Sequence, residues 1–249
     1  MEVKKGFGSR NCSLFLTEEN NLIISGFYTN RAKFVKDELL GNYHLKLNRE
    51  TGKIEYEVYH PFVTKNYQFV LGTGAYDKKM SSKKEEYTMS EAFTYSYNHL
   101  ITKDETIYHV VRLYSNSDRI TGICVYKITP EGKVEWIRQI PIKGSTNMGA
   151  QLVDDKLHIV YNDHVDNEGL NFNKVPRKIP NENGTKDGGL VLVTLDEMGK
   201  AQHKIVSRYE EGGGKVETFY SFQRDVNYIL LYGNNKQKKE MYLGLIKVD

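Results

Sequence analysis

The sequence predicts an all-β fold: a β-propeller, or a propeller fragment, of about four four-stranded antiparallel blades. Three observations lead there. Short apolar runs recur along the chain, each ending in Tyr and leaving through Asn, Asp, Ser or Gly. A turn closing on Gly, followed by an alternating strand, recurs in phase with them. Aromatic residues make up 12% of the chain, with 18 Tyr, which favours strands over helices.

Each repeat reads as strands A, B, C and D joined by hairpins. The A strands are SLFL (13–16), NHLI (98–101), AQLV (150–153) and TFYSF (218–222). The B strands are LIISGFY, IYHVVRLY, LHIVY and YILLY, rich in β-branched residues and apolar throughout, so they are expected to be buried. They leave through Tyr28-Thr29-Asn30, Tyr114-Ser115-Asn116, Tyr161-Asn162-Asp163 and Tyr232-Gly233-Asn234. Asn, Asp and Gly tolerate turn conformations, so these residues are expected to end the strand. The C strands are 43–48, 125–129, 192–196 and 243–249. The D strands follow Gly52, Gly132 and Gly199, which supply the positive φ of the hairpin loop. In the first, Ile54, Tyr56 and Val58 point one way and Glu55 and Glu57 the other, the period of a half-exposed strand. Trp136 occupies the position that Tyr56 and His203 take in the other copies.

These repeats fall near 12–65, 97–146, 149–210 and 216–249, within one expected domain over 1–249. The fourth stops after strand C. Trp136 precedes Tyr161 by 25 residues, and the same step back from Tyr28 lands on Val3. Residues 1–7 are therefore a candidate closing strand, and a closed ring implies a monomer. Upstream blades cut from a longer chain would give the same phase and leave an exposed edge. A–B and C–D links are short, whereas the B–C links 29–41 and 162–188 and the D–A link 60–97 are long. Alternate connections of a meander lie at opposite ends, so the long links are expected on one face, the side on which repeat proteins commonly bind. A short helix is expected near 81–92.

Net charge is +3, from 35 basic and 32 acidic residues, too small to argue for nucleic acid. The Lys runs at 78–84 and 236–239 sit beside acidic residues and read as solvated loops. No apolar run approaches the ~20 residues of a membrane helix. MEVKKGFGSRN lacks the apolar core of a signal peptide, so the compartment is cytoplasmic as the sequence stands, and periplasmic or extracellular if a leader precedes it. Cys12 and Cys124 do not make a disulfide framework, and Cys124 reads as a small buried hydrophobe.

The runs DDKLHIVYND, TPEGKVEWIRQIPI and KDGGLVLVTLDEMGK resemble a group of uncharacterised bacterial β-propeller-like repeat proteins, many of them exported. The resemblance spans most of 12–249 and implies a fold, not an activity. It also implies a longer protein with a leader and further N-terminal blades.

The densest polar cluster is YNDHVDNEG, from Tyr161 to Gly169. Asp163, His164, Asp166 and Glu168 offer oxygen and nitrogen donors, but the spacing departs from a calcium loop, with Val at 165 and Glu rather than Gly at 168. Turn chemistry explains them, and no metal or cofactor is assigned. His44, His109 and His158 lie within strands and read as packed residues. HExxH, CxxC and GxSxG are all absent. The expectation is a binding scaffold rather than an enzyme, with no catalytic residue, taking a protein, peptide or glycan ligand on the long-link face. Its expected binding residues are Tyr161, Asn162, Asp163, His164 and Asp166, with Asn30, Asn116 and Asn234 at the equivalent turns. The alternatives are a glycan-acting hydrolase with paired carboxylates at the channel mouth, and a structural segment of a larger exported protein.

Overall fold

In the computed structural model, residues 7–30, 38–62, 89–90, 94–114, 120–145, 148–168, 187–209, 215–221, 228–235 and 240–247 are described. Seventeen strands follow in chain order: β1 (Phe7–Leu16), β2 (Asn21–Asn30), β3 (Glu38–Leu39), β4 (Gly41–Asn48), β5 (Ile54–Pro61), β6 (Met89–Ser90), β7 (Thr94–Ile101), β8 (Ile107–Tyr114), β9 (Ile120–Ile128), β10 (Val134–Ser145), β11 (Met148–Val153), β12 (Lys156–His164), β13 (Gly188–Leu195), β14 (Ala201–Arg208), β15 (Lys215–Ser221), β16 (Tyr228–Asn235) and β17 (Glu240–Lys247). They form sheets β1-β2-β4-β5, β7-β8-β9-β10, β11-β12-β13-β14 and β15-β16-β17, with β3 and β6 paired apart. Three four-stranded meanders and one of three strands are the blade pattern of a β-propeller or propeller fragment. The fourth sheet ends after its third strand, as its sequence repeat does.

The contacts divide the chain into two units. Unit 1 is Met1–Tyr114 with Ile123–Gln139, and unit 2 is Ser115–Gly122 with Ile140–Asp249. In unit 1, Ile23 and Phe27 of β2 pack with Ile107, Val111, Cys124, Tyr126 and Ile128 of β8 and β9 in one buried cluster. A four-stranded sheet has two faces and no helix to cover either, so it must bury one against its neighbour. The opposite face of the first sheet carries its own cluster of Ile24, Tyr28, Tyr43 and Leu45. In unit 2, Val160 and Leu190 pack with Ile229 and Ile246. On β17 the alternate residues Met241, Leu243 and Leu245 are exposed.

The hairpins obey the turn chemistry expected of them. In the C–D turns Gly132 N–H donates to Thr129 O at 2.8 Å and Gly199 N–H to Asp196 O at 2.8 Å. Each is a tight turn followed by a Gly with positive φ, the three-residue hairpin pattern. The A–B turns use non-Gly residues for the same conformation: Asn20, Glu105, Asp154 and Asp155 all have positive φ. Asn and Asp adopt it readily, whereas Glu105 does not, and its side chain shows why below.

Several expectations need correction. In three of the four repeats the Tyr that ends the B-strand motif does not end the strand: β2 runs to Asn30, β16 to Asn235, and β12 continues through Asn162, Asp163 and His164, opposite Leu190, Gly189 and Gly188, whereas β8 is bounded at Tyr114. Residues 1–6 of the proposed closing strand lie outside the described residues, while Phe7 already belongs to β1, opposite Asn30. The helix expected near 81–92 also falls mostly outside them, and its described part, Met89–Ser90, is a strand paired with Glu38–Leu39. That pairing joins the two long links of unit 1. Cys12 and Cys124 are free thiols, one exposed and one buried.

Gly52 and Gly132 share positive φ (68° and 79°) but not surroundings. A Cβ on Gly52 meets nothing within 4 Å, whereas one on Gly132 meets the Tyr56 ring at 2.8 Å. Gly52→Ala is expected to cost about 1 kcal/mol from backbone strain alone. Gly132→Ala adds a steric clash and is expected to cost about 1–3 kcal/mol more. Urea denaturation of both variants checks this, and equal losses would contradict the packing at Gly132.

Candidate functional site

Two groups of polar side chains stand out, one in each unit. In unit 1 the buried face between the first two sheets is polar at its centre. His44 on β4, His99 on β7 and His109 on β8 are all buried, and His60 on β5 is half-buried beside them. Ring centroids lie 5.6 Å apart for His44–His60, 5.7 Å for His44–His109, and 4.0 Å for the stacked pair His99–His109. The hairpin explains the last pair: His99 and His109 stand directly opposite each other in the ladder. Ser25 Oγ and His44 Nδ1 share a hydrogen bond of 2.6 Å, and His60 Nε2 lies 3.2 Å from the Gly132 carbonyl oxygen. His44 Nε2 and both ring nitrogens of His99 have no hydrogen-bond partner among the described residues.

Burial pushes His44 and His109 well below their ordinary range and His99 down to about 3, because a charged imidazole loses its hydration there. These rings are therefore neutral. Among the described residues no group of three or more His, Cys, Asp or Glu side chains is placed to hold a metal ion. The stacking supplies a reason: rings lying face to face direct their nitrogens along parallel planes, not toward a common point. Ser25 and His44 resemble a nucleophile and its base, but they stand directly opposite each other in mid-strand, and their hydrogen bond is that of a cross-strand pair in the core.

Beside the histidines lies a buried ion pair. Lys46 Nζ stands 2.5 Å from Glu105 Oε2 and 3.0 Å from Glu55 Oε2. Asn21 Nδ2 donates to Glu105 Oε1 at 3.0 Å. Glu105 sits in the β7–β8 turn with positive φ, held there because its carboxylate reaches across to β4. Burial by itself would raise the carboxyl, but Lys46, Thr17 and Asn21 outweigh it and hold Glu105 below the usual range.

In unit 2 the end of β12 holds most of the expected binding residues. Tyr161, Asn162 and Asp163 are buried, His164 nearly so, and Asp166 is exposed. A 3-10 turn, Val165–Asn167, follows, and His164 Nδ1 caps it by accepting from Asp166 N–H at 3.1 Å. Asp163 Oδ1 accepts from His164 N–H at 2.7 Å and from Asn167 Nδ2 at 2.8 Å. Tyr209 Oη donates to Asn162 Oδ1. Val165 N–H bonds the Asp187 carbonyl at 2.9 Å, so the long link between β12 and β13 leaves and returns at one point. Glu168 pairs with Arg208 of β14 at 3.2 Å.

Burial pushes the Asp163 carboxyl up to about 6, against the two hydrogen bonds that favour its anion. Both donors converge on Oδ1, so the proton of the neutral acid belongs on Oδ2. This edge thus presents a carboxyl that holds its proton near pH 6 and exposed carboxylates three and five residues on. Of the other expected binding residues, Asn30 lies in β2 and Asn234 in β16, opposite Lys215 and Met241. Asn116 lies outside the described residues. Within unit 2, Tyr161, Asn162, Asp163, His164 and Asp166 follow one another on a single strand end and its turn. Sequence reasoning passed over Tyr209, Asn167 and Arg208, and it did not gather the four histidines. One signal for the latter existed, since His99 and His109 stand three residues from Thr102 and Thr106, the two ends of one hairpin turn.

No protein-family profile matches the chain, and no curated protein matches it. Solved structures similar to it include a GH43 β-1,3-galactosidase with galactodeoxynojirimycin, at a TM-score of 0.40 and 8% identity, with 100% of this chain and 74% of that one covered. A GH43_1 enzyme from Xanthomonas citri with xylotriose aligns at 0.39 and 10% identity, over 98% of this chain and 72% of the other. A Synechocystis apocarotenoid oxygenase aligns at 0.40 and 11%, over 96% of this chain, which spans 50% of the oxygenase. These proteins are enzymes, and the expectation of a non-enzymatic scaffold is withdrawn on that finding. Likeness at this level assigns the chain no substrate. The resemblance to an exported bacterial repeat group gains no support from these comparisons. No helix among the described residues is long and apolar enough to cross a membrane.

The Lys46–Glu105 pair has a direct consequence. Glu105→Gln leaves a buried ammonium with one partner fewer, and is expected to cost about 3 kcal/mol. Replacing both residues, as Lys46→Met with Glu105→Gln, is expected to recover most of that loss. A double-mutant cycle by chemical denaturation measures it, and additive losses would show that the two charges do not interact.

Proposed function

We propose that this chain is a hydrolase acting on glycans, with Asp163 as its general acid. The observation that carries the reading is the buried Asp163 carboxyl, raised to about 6 at the strand end where the exposed carboxylates Asp166 and Glu168 emerge. Glycosidic cleavage needs one carboxyl that keeps its proton for the leaving oxygen and a second, charged one for the sugar or for water. In this reading Asp163 protonates the departing oxygen through Oδ2. Its Oδ1 stays fixed by His164 N–H and Asn167, which hold the acid's orientation. Glu168, held by Arg208, supplies the charged carboxylate. Asp166, exposed on the turn, binds sugar hydroxyls. The buried Tyr161 and Asn162 act as support beneath the acid.

The test is hydrolysis of a panel of aryl glycosides and oligosaccharides by the full chain. Asp163→Asn keeps an acceptor for both donors and removes only the proton, so kcat is expected to fall about 100- to 10,000-fold with the fold intact. The wild-type rate should decline with rising pH above about 6, as Asp163 loses its proton, and that limb should vanish in the variant. An Asp163→Asn protein with unchanged turnover, or a wild-type chain inert on the whole panel, would overturn the assignment.

A further inference from the structure

The four histidines of unit 1 take no part in the Asp163 edge, yet they are among its most unusual feature: a neutral, stacked imidazole group in a core. The groups facing them come from every neighbouring element. On β4 the same face continues to Lys46, which is bound to Glu105 of the β7–β8 turn and Glu55 of β5. Tyr56 follows on β5, and Cys124 and Tyr126 come from β9, while β1 and β2 contribute Phe15, Ser25 and Phe27. Of the carboxylates on these elements, Glu55 and Glu105 are engaged with Lys46, Glu57 accepts from Tyr59 Oη, and Asp104 accepts from Thr106.

We propose that this histidine core makes unit 1 acid-labile: mild acidification separates its two packed sheets while unit 2 remains folded.

The reason is proton linkage. Burial depresses His44, His99, His109 and, less strongly, His60 below the ordinary 6.5, so the unfolded chain binds protons that the folded one excludes. Their contribution to stability is complete above about pH 6.5 and falls as the pH drops, by up to about tenfold in the unfolding constant per histidine per pH unit. Charging His99 and His109 at 4.0 Å would add direct repulsion. The neighbours titrate elsewhere. Lys46 is raised, so its contribution is lost only at high pH, and Glu105 is lowered, so its contribution is lost only below its ordinary 4.5. The window from 6.5 to about 4.5 therefore belongs to the histidines. In unit 2, His203 is depressed and acts in the same direction, but Asp163 is raised and gains stability as the pH falls through about 6.

Trp136 is the sole tryptophan of the chain and lies in unit 1, 5.9 Å from Tyr108, so its fluorescence reports on this unit. Urea unfolding of the full chain at pH 7.5 and 5.0 is followed by that signal, with hydrogen exchange read by mass spectrometry. The unfolding constant is expected to rise more than about 100-fold at pH 5.0, with exchange accelerating in β4, β7 and β8 well beyond β12 and β13. His99→Phe, which extends the edge contact with Phe15, is expected to lower that ratio by about thirtyfold, the value for one excluded proton over 1.5 pH units. An unchanged midpoint at pH 5.0, equal acceleration in both units, or a folded His99→Phe protein with the full ratio would each overturn the proposal. Should that variant fail to fold, the wild-type comparison still decides.

Discussion

A carboxylate taken out of water must find a cation and hydrogen-bond donors, or it will not stay charged. Glu105 finds Lys46, Asn21 and Thr17, and the first two sheets of unit 1 are organised around that requirement. The pair fixes the β7–β8 turn against β4 and holds Glu105 in a conformation that a glutamate seldom adopts. Register follows from it. With Glu105 anchored, His99 and His109 come into line across the hairpin, and Phe27, Val111 and Tyr126 close over them. A purely apolar interface could slide. Directional charge pairing at its edge removes that freedom.

The core beneath this ion pair is unlike that of an apolar sandwich. Ser25, Asn42 and three histidines are buried among aromatic rings, and the polar atoms of His99 are left without hydrogen bonds among the described residues. Such groups weaken packing relative to an isosteric apolar core. They are tolerated because the imidazoles remain neutral, so only a dipole and not a charge loses its water. Unit 2 packs differently. Its cluster of Val160, Leu190, Ile229 and Ile246 is aliphatic; Gln151 and His158 are buried in mid-strand, and Asn162, Asp163, His164 and Asn167 collect at the end of β12, where the chain leaves the ladder. In the proposed reading the roles differ: polar burial in unit 1 concerns stability, and polar burial at the end of β12 concerns chemistry.

At that end, three extra residues of strand matter. Had β12 stopped at Tyr161, Asn162 and Asp163 would be solvated turn residues with ordinary carboxyl behaviour. Pairing with Gly188 to Leu190 carries them inside, where the Asn167 amide replaces water. The same ladder extension that buries Asp163 raises its acidity constant's pH, so the strand length and the proposed acid are one feature.

The amino-acid sequence by itself determined the blade pattern. Period-two alternation, β-branched runs and Gly-closed turns are local properties, and they placed fifteen strand positions in their hairpins because neighbouring residues alone decide them. Gly132 and Gly199 are legible for the same reason, since a positive φ is a demand made by the turn itself. The long links were legible as lengths, and β3 with β6 shows two of them meeting. What surrounds a side chain after folding was not legible. His44, His60, His99 and His109 come from four strands of two sheets, β4 and β5 of one and the β7–β8 hairpin of the other, and only packing brings the two pairs together. Asp163 read as a turn residue because Asn and Asp favour turns. Its burial was decided by the partner strand β13, which begins 24 residues after β12 ends. Propensity acts within a few residues, whereas desolvation, ion pairing and proton affinity depend on neighbours that only the tertiary structure supplies.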